Sequence, residues 1–188
     1  MDGLIYDSIS EEIIALAERI ATESGTKDIN VRRIIKELNV TNRVFYNRFH
    51  NIDEVLEIVY TRAAQNMHES FSSTKDINTD FFGYVTDVCV NVLLNTYDIK
   101  NRFSQYMFEF DSYTASNFAW WKDKIEQLID FGKKEGKIKD VDSNMLSYSL
   151  WCFLRGFNAD AVNRGLSKDE AIKKLTFGLS CLFEGIKK

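Results

Sequence analysis

The sequence predicts an all-α chain, and three observations carry that prediction. None of its 188 residues is proline and only 9 are glycine, so the residues that break helix interiors and punctuate sheets are almost missing. Apolar residues recur at three- and four-residue spacing along nearly the whole chain, the period of a helix with one buried face. Helix-start signals, a short polar residue followed three residues later by glutamate, stand at Ser8 and Glu11, Asn51 and Glu54, and Ser167 and Glu170.

The first helix starts at Ser8, buries Ile9, Ile13, Leu16, Ala17 and Ile20, and stops near Gly25. "NVRRIIKELN" follows with Val31, Ile34, Ile35 and Leu38 inward, Arg32, Arg33 and Lys36 outward, and Asn39 where a left-handed stop is wanted. After a turn of about three residues, the length of a helix-turn-helix connection, Thr41 caps a third helix, "NRVFYNRF". Its Phe45 and Phe49 point inward with Val40 and Ile52, while Arg43, Tyr46, Asn47 and His50 fall at i, i+3, i+4 and i+7 on the opposite face.

That outward face is a hydrogen-bonding comb. The planar ends of Asn and Arg match base edges in a DNA major groove, and Tyr and Arg also serve phosphates. Residues 27 to 50 carry Lys27, Arg32, Arg33, Lys36, Arg43 and Arg48 against Asp28 and Glu37, a local charge of +4 in a chain whose total is −4. Such a basic patch attracts nucleic acid. A solvated charged face and a helix-turn-helix shape also occur in proteins that touch no DNA.

A fourth helix begins at Asn51 and carries Ile52, Val55, Leu56, Val59, Tyr60, Ala63, Met67 and Phe71 on its apolar side. The polar run "SSTKDINT", 72 to 79, is the plainest break in pattern. Residues 1–55 are expected to form the helix-turn-helix domain and 56–188 a second helical domain. Residues 81 to 121 hold twelve of the 25 aromatic residues, enough for a core and also suited to a small-molecule pocket. The candidate ligand residues there are Phe103, Tyr106, Met107, Glu109, Phe110, Tyr113, Trp120 and Trp121. The rings and acids suit an aromatic or cationic molecule.

The last two helices each show two apolar or small faces. One stripe holds Leu146, Leu150, Phe153, Phe157 and Ala161, and another Ser149, Cys152, Gly156, Ala159 and Asn163; the final helix sets Ile172, Leu175, Leu179, Leu182 and Ile186 beside Gly178, Cys181 and Gly185. Two faces imply two partners, one being the domain core and the other either the same helix pair of a second subunit, packed as a two-fold four-helix bundle, or further elements of the same chain. Ser149, Cys152, Gly156, Gly178, Cys181 and Gly185 are the expected dimer contacts.

Several functions find no support. Cys89, Cys152 and Cys181 are odd in number, far apart and in apolar surroundings, so they read as reduced core residues. His50 and His68 stand alone, without H-E-x-x-H or E-x-x-H spacing, and no metal or cofactor is expected. The glycine-rich nucleotide fingerprints and the G-x-S-x-G elbow are missing, which argues against an enzyme. The N-terminus "MDGLIYDSIS" has acids where a leader peptide is basic, and no run approaches the roughly 20 apolar residues of a membrane span. A cytoplasmic protein without membrane contact is expected.

The stretch "IKELNVTNRVFYNRFHNIDEVL" resembles the DNA-binding signature of tetracycline-repressor-type (TetR) transcriptional regulators, roughly A-x-x-A-G-V-S-x-G-T-[LF]-Y-x-[HY]-F-x-x-K-E-x-L. Val40, Thr41 in the Ser place, Phe45, Tyr46, Phe49 and Asp53 in the Glu place agree, and Leu56 stands one place beyond the signature's last Leu. The resemblance covers the first 60 residues; beyond them only length and helicity match. It implies a homodimer that binds a pseudo-palindromic double-stranded DNA operator and releases it when a small effector occupies the second domain, most often as a repressor. On that reading the DNA-facing residues are Arg32, Arg33, Thr41, Asn42, Arg43, Tyr46, Asn47, Arg48 and His50. Three departures stand out: Arg43 occupies a family Gly place, Val44 a Thr place, and Ile52 the place of a phosphate-binding Lys, a contact left to Arg32, Arg33, Lys36 or Arg48. The competing readings are a helical interaction adaptor without DNA binding and an all-helical enzyme.

Overall fold

The computed structural model describes residues 3–98 and 115–188, and they contain eight α-helices and no strand. These are α1 (Ser8–Ser24), α2 (Val31–Glu37), α3 (Asn42–Tyr46), α4 (Ile52–Glu69), α5 (Phe81–Asp98), α6 (Ala115–Lys134), α7 (Ser143–Asn163) and α8 (Lys168–Ile186). The described residues divide into two compact units, 3–66 and 67–98 with 115–188. The division falls inside α4, between Asn66 and Met67, later than the expected 55/56 and ahead of the polar run at 72–79.

In the first unit α1 starts one residue earlier than the Ser8 signal suggests. Asp7 is the cap, accepting from the Ile9 and Ser10 amides while Ser10 Oγ accepts from the Asp7 amide. A carboxylate here meets the unpaired amides and the positive end of the helix together. Glu11 is thereby left to pair with Arg62 of α4 at 2.8 Å. Gly25 ends the helix at φ 92°, and a 3-10 turn, Thr26–Asp28, leads into α2. Ile13, Ile14, Ile20, Ile34, Phe45 and Val55 are fully buried and form the core beneath the short helices.

The second unit packs α5, α7 and α8 around Leu93, Ala161, Ala171, Leu175 and Leu179. Ser167 caps α8 by accepting from the Glu170 amide, as its spacing predicts. A methyl group at Gly132 would lie 2.7 Å from Ile138 and Phe81, so only glycine admits this approach. Only Cys89 of the three cysteines is a core residue; Cys152 and Cys181 are exposed, contrary to the reading of all three as core residues. Apolar sequence neighbours do not bury a residue that faces away from its helix's packed side. Burial pushes the Cys89 thiol up to about 12.

Candidate nucleic-acid interface

Helices α2 and α3 are set by two caps and one left-handed residue. Asn30 caps α2 through the Arg33 amide, and Thr41 caps α3 through the Val44 amide. Between them Asn39 takes φ 54°, a conformation that Asn tolerates well. Helix α3 is shorter than the sequence suggests, because Arg48 N donates to Phe45 O and tightens the last turn. Phe45 and Phe49 are buried beneath it, with rings 5.7 Å apart.

Arg32, Thr41, Asn42, Arg43, Tyr46, Asn47 and His50 are exposed, and Tyr46 keeps 51% of its surface while its ring meets the edge of Phe45. Arg33 is half-buried and donates to Glu37 at 2.8 Å, so its charge is already offset and holds the Glu37 carboxyl below its usual range. His50 Nδ1 lies 2.6 Å from Glu54 Oε1, whose other oxygen accepts from the His50 amide. That backbone bond lowers the Glu54 carboxyl.

Arg48 departs from expectation. It is 9% exposed, and its Nε and Nη2 donate to the two carboxylate oxygens of Asp7 at 2.8 and 2.5 Å. A planar fork filled by a carboxylate is not on offer to a phosphate. Arg48 is therefore withdrawn from the candidate DNA-facing residues, and the exposed comb and its flanking Arg32 remain candidates.

Phe103, Tyr106, Met107, Glu109, Phe110 and Tyr113 lie outside the described residues. Trp120 and Trp121 are described, and the chain brings them together with His68, Phe71 and Trp151. The His68 ring stacks on Trp120 at 3.7 Å and 10°, with Nε2 2.7 Å from Asn117 Oδ1. Trp121 is buried and stacks on Trp151 at 5.9 Å. An apolar cavity of about 50 Å³ shares Phe71 with this cluster and is lined also by Phe81, Phe82, Cys89 and Phe183 among others.

Helices α7 and α8 also carry an exposed face. Met145 and Phe177 keep 72% and 71% of their surface, and Tyr148 and Leu182 are exposed as well. Ser149, Cys152, Gly156, Cys181 and Gly185 are exposed with them. Gly178 differs: a methyl group there would lie 2.9 Å from the Phe153 ring of the same chain, so its small size already serves packing between α7 and α8.

No protein-family model matches the chain, and no curated protein matches it in sequence. Solved structures do. A TetR transcription regulator from Haloarcula marismortui superposes with TM-score 0.66 at 17% identity, over 97% of this chain and 100% of that one. A TetR/AcrR-type regulator from Aquifex aeolicus gives 0.66 at 18% identity, over 92% and 98%. A protein from Saccharomonospora viridis, described as a transcriptional regulator and solved in complex with choline, gives 0.65 at 16% identity, over 96% and 98%. The chain has the TetR-regulator fold.

Within that fold, sequence reasoning missed His68 and Trp151. The histidine was set aside for want of metal-ligand spacing, and that test says nothing about stacking. Its position beside Met67 and Phe71 at the end of α4's apolar run was the available signal. Among the described residues no helix is long and apolar enough to cross a membrane.

Proposed function

We propose that the chain is a DNA-binding transcriptional regulator of the TetR type, acting in the cytoplasm as a homodimer and not as an enzyme. The observation that carries this reading is the comb of Asn42, Arg43, Tyr46 and Asn47, exposed on a short helix whose buried face is fully used. Such a face has base-edge and phosphate chemistry and no fold chemistry. The exposed apolar face of α7 and α8 supports a second copy as its cover, since dimers bridge operator half-sites roughly 34 to 36 Å apart. The Saccharomonospora viridis neighbour holds choline. Here the rings of His68, Trp120 and Trp121 offer the π-systems that support an aromatic or cationic organic effector. Repression relieved by that effector follows if it binds better to the DNA-free arrangement.

The test is binding to duplexes from the DNA flanking its own gene, against scrambled duplexes of equal length, across a salt series. The expected result is a flanking duplex held at least about a thousandfold more tightly than its scramble. Equal binding to both, or none, sinks the regulator reading and favours the adaptor.

A further inference from the structure

The N-terminal segment and the end of α3 are joined by more bonds than a helix start needs. Asp7 already accepts from the Ile9 and Ser10 amides, each at 3.1 Å, and takes both arms of the Arg48 fork in addition. The third arm, Nη1, donates to the Val44 carbonyl at 2.8 Å. Val44 lies between Arg43 and Tyr46, and its carbonyl faces the tightened turn where Arg48 N has gone to Phe45 O. One residue away the Ile5 amide donates to Asn47 O at 2.9 Å. The Arg48 fork thus bridges an acceptor at the cap of α1 and a carbonyl inside α3, with its charge matched and its planar geometry satisfied.

We propose that Arg48 and Asp7 are positioning residues for DNA reading: the pair clamps the end of α3 to the start of α1 and so fixes the pose of Arg43, Tyr46 and Asn47. The inference rests on the regulator reading for its consequence, and on the bonds above for the clamp itself. A helix of five residues has little stability of its own, so its pose depends on what grips its ends. Base readout needs side-chain forks aligned to hydrogen-bond tolerance, whereas attraction to phosphates does not. Loss of the clamp therefore lowers specific binding and spares non-specific binding.

Two variants separate this role from a phosphate contact. Asp7→Asn keeps a good helix cap and removes the ion pair; Arg48→Lys keeps the positive charge and cannot make the planar fork. With the full chain, both are expected to lose about tenfold for the flanking duplex and to stay within about twofold of the parent on the scramble, with the salt slope undiminished. Parent-like specific binding by Arg48→Lys overturns the clamp, as does equal weakening on both duplexes. A DNA-free measurement keeps this apart from the regulator reading. Hydrogen exchange at the Asn47, Arg48 and Phe49 amides should speed up by about tenfold in Asp7→Asn. Unchanged exchange overturns the clamp whether or not the parent binds DNA. Faster exchange in a chain that binds neither duplex leaves the clamp standing and removes only the regulator reading.

Discussion

The two compact units solve the same problem, packing helices without proline or strands, with different chemistry. In residues 3–66 ion pairs link the elements: Asp7 with Arg48, Glu11 with Arg62, and Glu37 with Arg19. In the second unit ion pairs such as Lys168 with Asp98 are accompanied by stacked and tilted rings, with Trp120 on His68, Trp121 on Trp151, and Phe82 on Phe183 at 4.9 Å. Their free surfaces differ in the same sense. The first unit exposes amides, a guanidinium and a phenol on and just beyond α3, and the second exposes Met145, Tyr148, Phe177 and Leu182. A polar comb suits a solvated polyanion and an apolar face suits protein, so each surface indicates its own class of partner.

The comparison is broken most directly through the first core. Phe45 is fully buried under α3, and Phe45→Ala should cost about 3 to 5 kcal/mol. All three tryptophans lie in the second unit, so their emission should stay native at temperatures where helicity and DNA binding have already fallen. Simultaneous loss of both signals would mean that the units do not unfold separately.

Next in size is the apolar face. Gly156 is exposed with open space around it, unlike Gly178, which Phe153 already fills against. Gly156→Leu should therefore raise the chain's own helical stability by roughly 1 kcal/mol while blocking a second copy. The readouts are sedimentation and thiol labelling. In the parent, labelling of Cys152 and Cys181 should slow as concentration rises, and in Gly156→Leu it should not. Cys89, raised to about 12 by burial, should stay unlabelled in both. A parent that sediments as a monomer at micromolar concentration ends the dimer proposal.

The difference between the units also explains what the sequence made legible. Helix period, the Gly25 and Asn39 stops and the caps at Thr41 and Ser167 are local properties, and the structure places them where spacing puts them. The outward stripe of α3 was legible for the same reason. Arg48 was not, since nothing within its own helix says that an acid 41 positions earlier will take its fork. Cys152 and Cys181 show both sides of this: their apolar neighbours read as core, while their place on the second stripe of each helix marked a separate face. His68 against Trp120 joins α4 to α6, a long-range pairing that carries no sequence period.

A smaller effect sharpens the reading of α3. Arg43 is exposed at the start of the comb, so Arg43→Ala should leave melting unchanged and cost about 1 to 3 kcal/mol of discrimination at one base pair. Tyr46→Phe, losing only a hydroxyl, should weaken flanking and scrambled duplexes alike. Competition against single-base variants of the flanking duplex measures both, and parent-like profiles would remove α3 as the reader.

The gentlest test is acid. In the first unit the Arg48 fork holds the Asp7 carboxyl well below the usual carboxylate range, and the Tyr6 hydroxyl, then Arg62, lower Glu11. Arg33 lowers Glu37 and the His50 amide lowers Glu54. In the second unit Asp76, lowered by the Asn78 amide, is the comparable case among the described residues. A carboxylate whose folded value is depressed stabilises the fold fully above its unfolded value, about 4, and loses that contribution as pH falls through the folded value. Between pH 5 and 8 these groups should therefore leave stability flat. Below about pH 4 the first unit should weaken first, since its inter-element links are the ones being protonated, while stacked rings carry no charge to lose. Far-UV helicity should decline at a higher pH than the tryptophan emission shifts. Coincident transitions would show that the ionic links of residues 3–66 contribute no more to their unit than the surface pairs of the second unit contribute to theirs.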